Sequence, residues 1–231
     1  MNKHVTWLRR VVSALPSPVA EMLRSTKRAI LNRRAPRDVF TRIAEENAWD
    51  GTESVSGPGS TLEATALLRA ALPGLLAKYE VRSLLDIPCG DAYWIVGTLP
   101  GDIAYTGADI VPALIDRSRA ENPDFGTFEV LDLVSDDLPQ ADLVMVRDCF
   151  IHLPHGLVRK AIDNVKRSGA RVLLTTTYPG HAENIEIEIG GFRPIDLQKP
   201  PFNLPRPLEV IPETEGATSG KSMALWDVST L

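Results

Sequence analysis

The sequence of 231 residues contains only two cysteines, Cys89 and Cys149. Neither a C-x-x-C pair nor a Cys/His spacing of the zinc-binding kind is present, so neither zinc ligation nor a disulfide framework is expected. No apolar run approaches the roughly 20 residues that a membrane-spanning helix requires. Near the N-terminus Arg9 and Arg10 interrupt the apolar residues, which argues against a secretory signal. These absences lead us to expect a reduced, cytoplasmic protein.

The chain also lacks the positive charge of a nucleic-acid-binding protein, because its formal net charge is −5. The charge is unevenly distributed, since residues 1–40 carry nine basic and two acidic side chains. Such a basic segment can contact a membrane surface or an acidic partner, although packing against its own acidic domain is the more ordinary outcome. Length and composition predict one domain over residues 41–231 with a basic helical extension over residues 1–40.

Glycine is scarce in the stretch that organises the chain, residues 82–94. A short apolar run there predicts a buried parallel strand that ends at Asp86 or Ile87. A tight turn around Gly90 and a helix to about Leu99 are expected to follow. One glycine cannot supply the dinucleotide fingerprint G-x-G-x-x-G, and no Walker-type lysine follows it. Backbone N–H groups in such a turn can still meet a ligand, since Gly90 has no Cβ.

The rest of the chain alternates between strand-like and helix-like patterns, which is typical of an α/β protein with a parallel sheet. A helix is predicted from Thr61 to about Lys78, with Ser60 as its N-cap and Glu63 at the capping-box position. Further strands are predicted at 103–110, 127–131, 141–148, 171–178, 208–211 and 222–228, and further helices at 111–120 and 157–166. This order predicts a doubly wound, mainly parallel, seven-stranded sheet.

The segment Asp86-Ile87-Pro88-Cys89-Gly90-Asp91 resembles motif I of the class I S-adenosylmethionine-dependent methyltransferases, usually D-x-G-x-G-x-G. Pro88, Gly90 and Ala92 stand where that family often has glycines, and the Asp-x-Pro-Cys-Gly-Asp variant is similar to a bacterial branch of it. The alternative is a strand-end turn in another α/β protein. The resemblance covers about residues 40–228. It implies a Rossmann-like fold that ends in an antiparallel hairpin, with S-adenosyl-L-methionine as cofactor and S-adenosyl-L-homocysteine as product.

Candidate cofactor-binding residues lie at the predicted strand ends. Asp109 follows the motif I turn by about 20 residues, which is the spacing of a carboxylate that accepts hydrogen bonds from the ribose hydroxyls. The alternative is that Asp109 is the N-cap of the next helix. The resemblance implies that Asp132 accepts a hydrogen bond from the adenine amino group and that the N–H of Leu133 reaches the adenine ring. The alternative is that Asp132 is an acidic residue of an ordinary strand-end turn. The resemblance further implies that ten residues line the cofactor site: Trp49, Ser56, Gly57, Asp86, Pro88, Cys89, Gly90, Trp94, Ile110 and Asp148. The alternative for Trp49, Ser56 and Gly57 is a surface loop.

Methyl transfer to a hydroxyl benefits from a base, and His152 is the first candidate because imidazole titrates near neutral pH. The alternative is a histidine satisfied by backbone at a helix start. Asp148 is the second candidate, as a base or as the group that orients the acceptor, and would share a face with His152 in a helical turn. His181 is the third. We expect Arg147 to pair with a neighbouring acid and to have no chemical role.

Residues 179–205 show no regular pattern, and long loops in compact domains are usually functional. We expect this region to form the substrate wall, with solvated loop residues as the alternative. The candidate substrate-binding residues are His181, Asn184, Arg193 and Asn203. No dense carboxylate cluster surrounds the fourth strand, so no metal is expected.

Together these features predict a methyltransferase that acts on a hydroxyl of a small polar acceptor, such as a sugar, a glycan precursor or a secondary metabolite. Three alternatives stay open: a protein or peptide methyltransferase that docks through the basic N-terminal segment, a non-catalytic module that binds S-adenosylmethionine, and a nicotinamide oxidoreductase. The absent dinucleotide fingerprint argues against the last. No nucleic-acid partner is expected, and a peripheral membrane contact through the N-terminal segment is the less expected outcome.

Overall fold

The computed structural model describes residues 36–213 and 220–231. Most of the predicted basic helical extension therefore lies outside the described residues. Helix α1, Pro36–Glu45, runs through the predicted domain boundary at residue 40, so residues 36–40 are continuous with the domain that follows. None of the helices in the described ranges combines the length and apolarity needed to cross a membrane.

The described domain is built on one sheet of seven strands in the order β3-β2-β1-β4-β5-β7-β6. Strands β1 to β5 pair in parallel, and β7 pairs antiparallel with both β5 and β6. The predicted doubly wound, mainly parallel, seven-stranded sheet with an antiparallel C-terminal pair is confirmed. The strands are β1 Ser83–Asp86, β2 Ala104–Asp109, β3 Thr127–Val130, β4 Leu143–Val146, β5 Val172–Thr177, β6 Glu209–Pro212 and β7 Ser222–Asp227.

The central strands are buried on both faces, which explains why they read as continuous apolar runs. In β4 all four residues are buried, and successive side chains alternate between two hydrophobic clusters. Leu143 and Met145 pack with helix α2, Ala66–Lys78, and helix α3, Pro112–Glu121. The other cluster contains helix α4, His155–Arg167, whose buried apolar residues recur at helical spacing and are Val158, Ala161, Ile162 and Val165.

Two of the predicted helical segments are wrong. The stretch from the motif turn to Leu99 forms successive turns, since Ala92 and Gly97 have positive φ angles of 55° and 79° that an α-helix does not tolerate. The helix expected from Thr61 begins only at Ala66. Ser60 is not its N-cap, because it closes a 3₁₀ turn at Pro58–Ser60.

Trp226 in β7 is fully buried, and its indole N–H donates to the carbonyl of Pro205 at 2.8 Å. Its ring therefore joins the sheet core to the end of the irregular region. We expect Trp226→Ala to lower the free energy of unfolding by about 3–5 kcal/mol, the range for deleting a buried large aromatic side chain. Trp226→Phe keeps most of the volume and should lose less. Urea unfolding followed by circular dichroism measures both, and a loss below about 1 kcal/mol for Trp226→Ala would contradict this packing.

Candidate active site at the carboxyl edge of the sheet

A cavity of about 450 Å³ lies where the carboxyl ends of the parallel strands meet. Parallel α/β sheets bind ligands at this edge, because the loops that leave the strands converge there. Every residue expected to bind the cofactor lines this cavity, namely Trp49, Ser56, Gly57, Asp86, Pro88, Cys89, Gly90, Trp94, Asp109, Ile110, Asp132, Leu133 and Asp148. His152 lines the cavity as well. The structure thus brings the residues that were selected from the sequence together around one cavity.

Backbone hydrogen bonds close the motif turn, and Gly90 allows the side chain of Ser56 to approach its backbone closely. Gly90 has a φ of +58°, and a Cβ at this position would lie 2.1 Å from the hydroxyl oxygen of Ser56. Asp91, which the sequence analysis left without a role, fixes the neighbouring loop: its carboxylate accepts from the hydroxyl of Ser54 at 2.8 Å and from the N–H of Val55 at 3.1 Å. The loop that contains Ser56 and Gly57 is therefore anchored to motif I.

Asp86 and Asp109 are buried carboxyl groups whose ionised forms are disfavoured. Burial raises the pKa of Asp86 to about 7, against the hydrogen bond that it accepts from the hydroxyl of Tyr105 at 3.0 Å. Burial also raises the pKa of Asp109 to about 6. The carboxylate of Asp109 accepts from the N–H groups of Gly90 at 3.1 Å and Val111 at 2.9 Å. It thus ties the motif turn to Val111, the residue before α3. The alternative role of Asp109 as the N-cap of this helix is wrong, because the N-cap is Val111 and no side chain caps the helix.

The adenine candidates lie in a loop that folds on itself after β3. Asp132 accepts from the N–H of Val134 at 2.8 Å and from the hydroxyl of Ser135 at 2.9 Å. The carbonyl of Leu133 accepts from the side-chain amide of Asn164 at 2.9 Å. These bonds hold the Asp132–Leu133 backbone against α4 in a fixed position beside the cavity.

Four charged side chains form what we name the strand-end quartet: Arg147, Asp148, Glu213 and Lys221. Arg147 donates to Glu213 at 2.7 Å and lies 3.3 Å from a carboxylate oxygen of Asp148. The ammonium of Lys221 donates to Asp148 at 2.6 Å and lies 3.2 Å from Glu213. Burial alone would raise the pKa of Asp148, but Arg147 and Lys221 outweigh it and lower that pKa to about 2.

The pairing expected for Arg147 is present, but its second function was missed. Its guanidinium donates to the carbonyl of Gly59 at 2.6 Å and lies 5.3 Å from the ring of Trp94, so it holds the cavity loop to the sheet. Glu213 and Lys221 were missed entirely. The antiparallel strand β7 begins where β5 ends, since Ser222 pairs with both Thr177 and Pro212. The amino end of an antiparallel strand therefore reaches the carboxyl edge, and this signal could have identified both residues.

His152 ends a 3₁₀ turn, Phe150–His152, and not the α-helical turn that was expected to follow Asp148. The φ of Asp148 is +50°, which places that residue outside any helical turn. The ring of His152 stacks on Trp49 with centroids 4.7 Å apart. Its Nδ1 lies 2.7 Å from the carbonyl of Gly191. Because a carbonyl can only accept, Nδ1 carries a proton, and in the neutral ring Nε2 keeps a lone pair.

The irregular character expected for residues 179–205 is confirmed, because the region contains neither helix nor strand. The structure does not bring its four candidate residues into the cavity. The amide of Asn184 donates to the carbonyls of Asp196 and Pro200 at 2.9 and 2.8 Å, and the guanidinium of Arg193 donates to two backbone carbonyls. His181 and Asn203 lie outside the lining as well. Phe192, which the sequence analysis did not select, does line it.

Removal of Lys221 should destabilise the quartet, because Asp148 and the fully buried carboxylate of Glu213 would share one cation. We expect Lys221→Met to lower the free energy of unfolding by about 3 kcal/mol at pH 7. The pKa of Asp148 is lowered in the folded state, so its stabilisation is present above the unfolded pKa of about 4 and is lost as pH falls toward 2. The difference in the free energy of unfolding between Lys221→Met and the wild type should therefore become smaller as the pH falls from about 4 toward 2. Urea unfolding at several pH values measures this difference.

The matched control is Lys78→Met, which removes an exposed lysine paired with Glu209 on the surface. Exposed pairs contribute little, so this variant should unfold as the wild type does. Equal stability of Lys221→Met and Lys78→Met would contradict the buried quartet.

Comparisons with known proteins bear on the fold of this chain. No protein-family model matches it, and no curated protein matches it. Among solved structures, the N-methyltransferase NodS from Bradyrhizobium japonicum, in complex with S-adenosyl-L-homocysteine, is 16% identical with a TM-score of 0.55 over 83% of this chain and 97% of that chain. Magnesium protoporphyrin IX methyltransferase (ChlM) from Synechocystis, with bound S-adenosylmethionine, is 14% identical with a TM-score of 0.54 over 82% and 93%.

The methyltransferase domain of bacterial CtHen1 is also similar, at 12% identity and a TM-score of 0.53 over 71% of this chain and 99% of that chain. Identities this low establish a shared fold, which agrees with the strand order and the antiparallel C-terminal pair described above. The chain has the Rossmann-like fold of the class I S-adenosylmethionine-dependent methyltransferases.

Proposed function

We propose that this protein is an S-adenosylmethionine-dependent methyltransferase that methylates a hydroxyl group of a small polar acceptor. Sugars, glycan precursors and hydroxylated secondary metabolites are the acceptor classes that we favour. The observation that carries the proposal is the cavity at the carboxyl edge, into which four consecutive parallel strands deliver Asp86, Asp109, Asp132 and Asp148. A methyltransferase fold with this ordered set of strand-end groups supports binding of the methyl donor there.

The residues around the cavity suit the parts of S-adenosylmethionine. Asp109 offers carboxylate oxygens to the ribose hydroxyls, and hydrogen bonds to an ionised group contribute about 1.5–3 kcal/mol each. Asp132 and the backbone of Leu133 serve the adenine, and the glycine turn at Gly90 admits the donor close to the backbone. When bound, the donor supplies a methyl group that its sulfonium already activates, so positioning and desolvation account for much of the catalysis.

His152 is the base in this proposal, because its neutral ring presents Nε2 as a proton acceptor. Burial lowers the pKa of His152, and this keeps the ring neutral and ready to accept a proton near pH 7. Asp148 is unsuited to the same role, since two cations hold its pKa at about 2. An ionised carboxylate at this position instead accepts a hydrogen bond from the acceptor and orients it.

The chemistry of the cavity walls supports an acceptor with one polar edge and one apolar face. Phe40, Trp49, His152 and Phe192 follow one another along one wall, with successive ring centroids 6.3, 4.7 and 6.0 Å apart. Phe192 is 61% exposed although it is a large apolar side chain, so its ring is available to a ligand. Asp148 and Lys221 supply polar groups to the same cavity. Hydroxylated rings combine the two kinds of surface that these walls would bind.

The role of Asp109 predicts a pH-dependent affinity for the cofactor and its product. As pH falls through about 6, Asp109 gains a proton and loses acceptor capacity, so the affinity for S-adenosyl-L-homocysteine should fall. We expect Asp109→Asn to weaken binding by about tenfold or more at pH 7.5, the consequence of losing one charge-assisted hydrogen bond. The variant should also lose the pH step near 6. Isothermal titration calorimetry between pH 5 and 8 measures both effects.

Asp86→Asn is the companion variant, because Asp86 titrates about one pH unit higher, near 7. A step that survives in Asp86→Asn and disappears in Asp109→Asn assigns the effect to Asp109. No binding of either S-adenosylmethionine or its product by the wild type would refute the proposed function.

The role of His152 predicts a loss of turnover without a loss of cofactor affinity. His152→Gln should lower kcat by about 10²–10⁴-fold, the usual contribution of a general base. The assay transfers labelled methyl groups from S-adenosylmethionine to a panel of hydroxylated sugars and phenols. His155→Gln is the matched control, since His155 lies outside the cavity and pairs with Glu186. Equal kcat values for wild type and His152→Gln would exclude His152 as the base.

A further inference from the structure

Residues 190–193, within the irregular region, are hydrogen-bonded to the turn that contains His152. All four carbonyls of residues 150–153 accept hydrogen bonds from residues 190–193. The backbone N–H of Gly190 donates to His152 at 2.9 Å, and that of Arg193 donates to Ile151 at 3.1 Å. The guanidinium of Arg193 donates to Phe150 at 3.3 Å and to Leu153 at 2.8 Å. We name residues 190–193 the clasp.

The clasp also receives a bond from the histidine itself, since Nδ1 of His152 donates to the carbonyl of Gly191 at 2.7 Å. Gly190 has a φ of +78°, and a Cβ there would lie 2.9 Å from Ile43 and 3.0 Å from Val39 of α1. Gly190 thus lets the clasp fit between α1 and the histidine turn. The ring of His152 is held by its Nδ1 bond on one side and by the stack on Trp49 on another.

Arg193 is unusual because its side chain is almost fully inaccessible, at 1% exposure. One of its terminal nitrogens serves two carbonyls, whereas Nε and Nη2 have no hydrogen-bond partner within the described part of the chain. Burying a guanidinium without an ion pair is costly. An apolar side chain could fill the space at lower cost, but neither it nor a lysine would bond the carbonyls on both sides of His152 in the same geometry.

We propose that Arg193 is a positioning residue, not a substrate-binding residue, and that the clasp fixes His152 as the Nδ1-protonated tautomer with Nε2 free to accept the acceptor proton. The inference rests on the proposed function of His152 and deepens it. In this arrangement the carbonyl of Gly191 performs the orienting task that a buried carboxylate performs in many catalytic histidines.

The electrostatic surroundings of His152 indicate the direction of a measurable effect. Burial lowers the pKa of His152, the bond to Gly191 and the charge of Asp148 raise it, and the charges of Lys221 and Arg193 lower it. Removal of the Arg193 charge while the ring stays in place should therefore raise the pKa of His152. Loss of the clasp should in addition allow both tautomers of His152, because the Nδ1 bond to Gly191 no longer excludes the Nε2-protonated form.

The test measures the tautomer and the pKa of His152 by ¹⁵N–¹H correlation spectra of the imidazole rings, which requires no acceptor. The chain has four histidines, and the missing signals of His152→Gln assign this one. In the wild type we expect a single Nδ1-protonated pattern. In Arg193→Met we expect a mixed tautomer pattern and a changed pKa of His152, which rises where the bond to Gly191 is kept, with unchanged affinity for S-adenosyl-L-homocysteine.

Arg159→Met is the matched control, because Arg159 also donates to a loop carbonyl, that of Pro201, without touching the histidine turn. Its His152 signals should equal those of the wild type, whereas the signals of His155 respond to the charge of Arg159. Where Arg193→Met does not fold by circular dichroism, Arg193→Lys replaces it, with the same direction of change in the tautomer pattern.

An Nε2-protonated wild type would overturn the inference, as would a folded Arg193 variant with the tautomer and pKa of the wild type. These outcomes are separate from failure of the proposed function. A wild type that binds neither S-adenosylmethionine nor its product refutes the methyltransferase proposal, whatever the histidine spectra show.

Discussion

The carboxyl ends of the parallel strands must meet at one edge of the sheet, and the candidate site depends on this constraint. The central strands β1 and β4 are buried on both faces, so polar side chains are concentrated where these strands end. Asp86 and Asp109 lie at strand ends, and Asp132 and Asp148 follow the next two strands by two residues. Because β7 is antiparallel, it returns the chain to the same edge and brings Lys221 beside Asp148.

Similar carboxyl groups acquire different properties from their surroundings in this cavity. Among residues 36–213 and 220–231, no cation is bonded to Asp86 or Asp109, and burial raises the pKa of each. Asp148 is buried as well, but Arg147 and Lys221 keep it ionised. Its negative charge therefore stays in the cavity around neutral pH, whereas the charges of the other two change there. This difference is why we assign binding to Asp109, orientation to Asp148 and proton transfer to His152.

The strand ends could be predicted from the sequence because an apolar run followed by an acid is a local signal. The residues that line the cavity could be predicted from these strand ends and from the resemblance to motif I. The turns after motif I could not be predicted, since the left-handed conformation of Ala92 depends on tertiary contacts. Nor could the sequence show that Arg193 turns inward to backbone carbonyls, because a loop arginine is usually solvated. Glu213 and Lys221 could have been identified only through the expected antiparallel hairpin, because the strand pairing that brings them to the site is a long-range property.

The most direct test of the central claim is a crystal structure of the protein with S-adenosyl-L-homocysteine. The account predicts that the ligand occupies the cavity at the carboxyl edge, with the ribose hydroxyls on Asp109, the adenine beside Asp132 and Leu133, and the sulfur facing the space between Asp148 and His152. Electron density for the ligand at another surface, or a cavity that remains empty at saturating ligand, would contradict it.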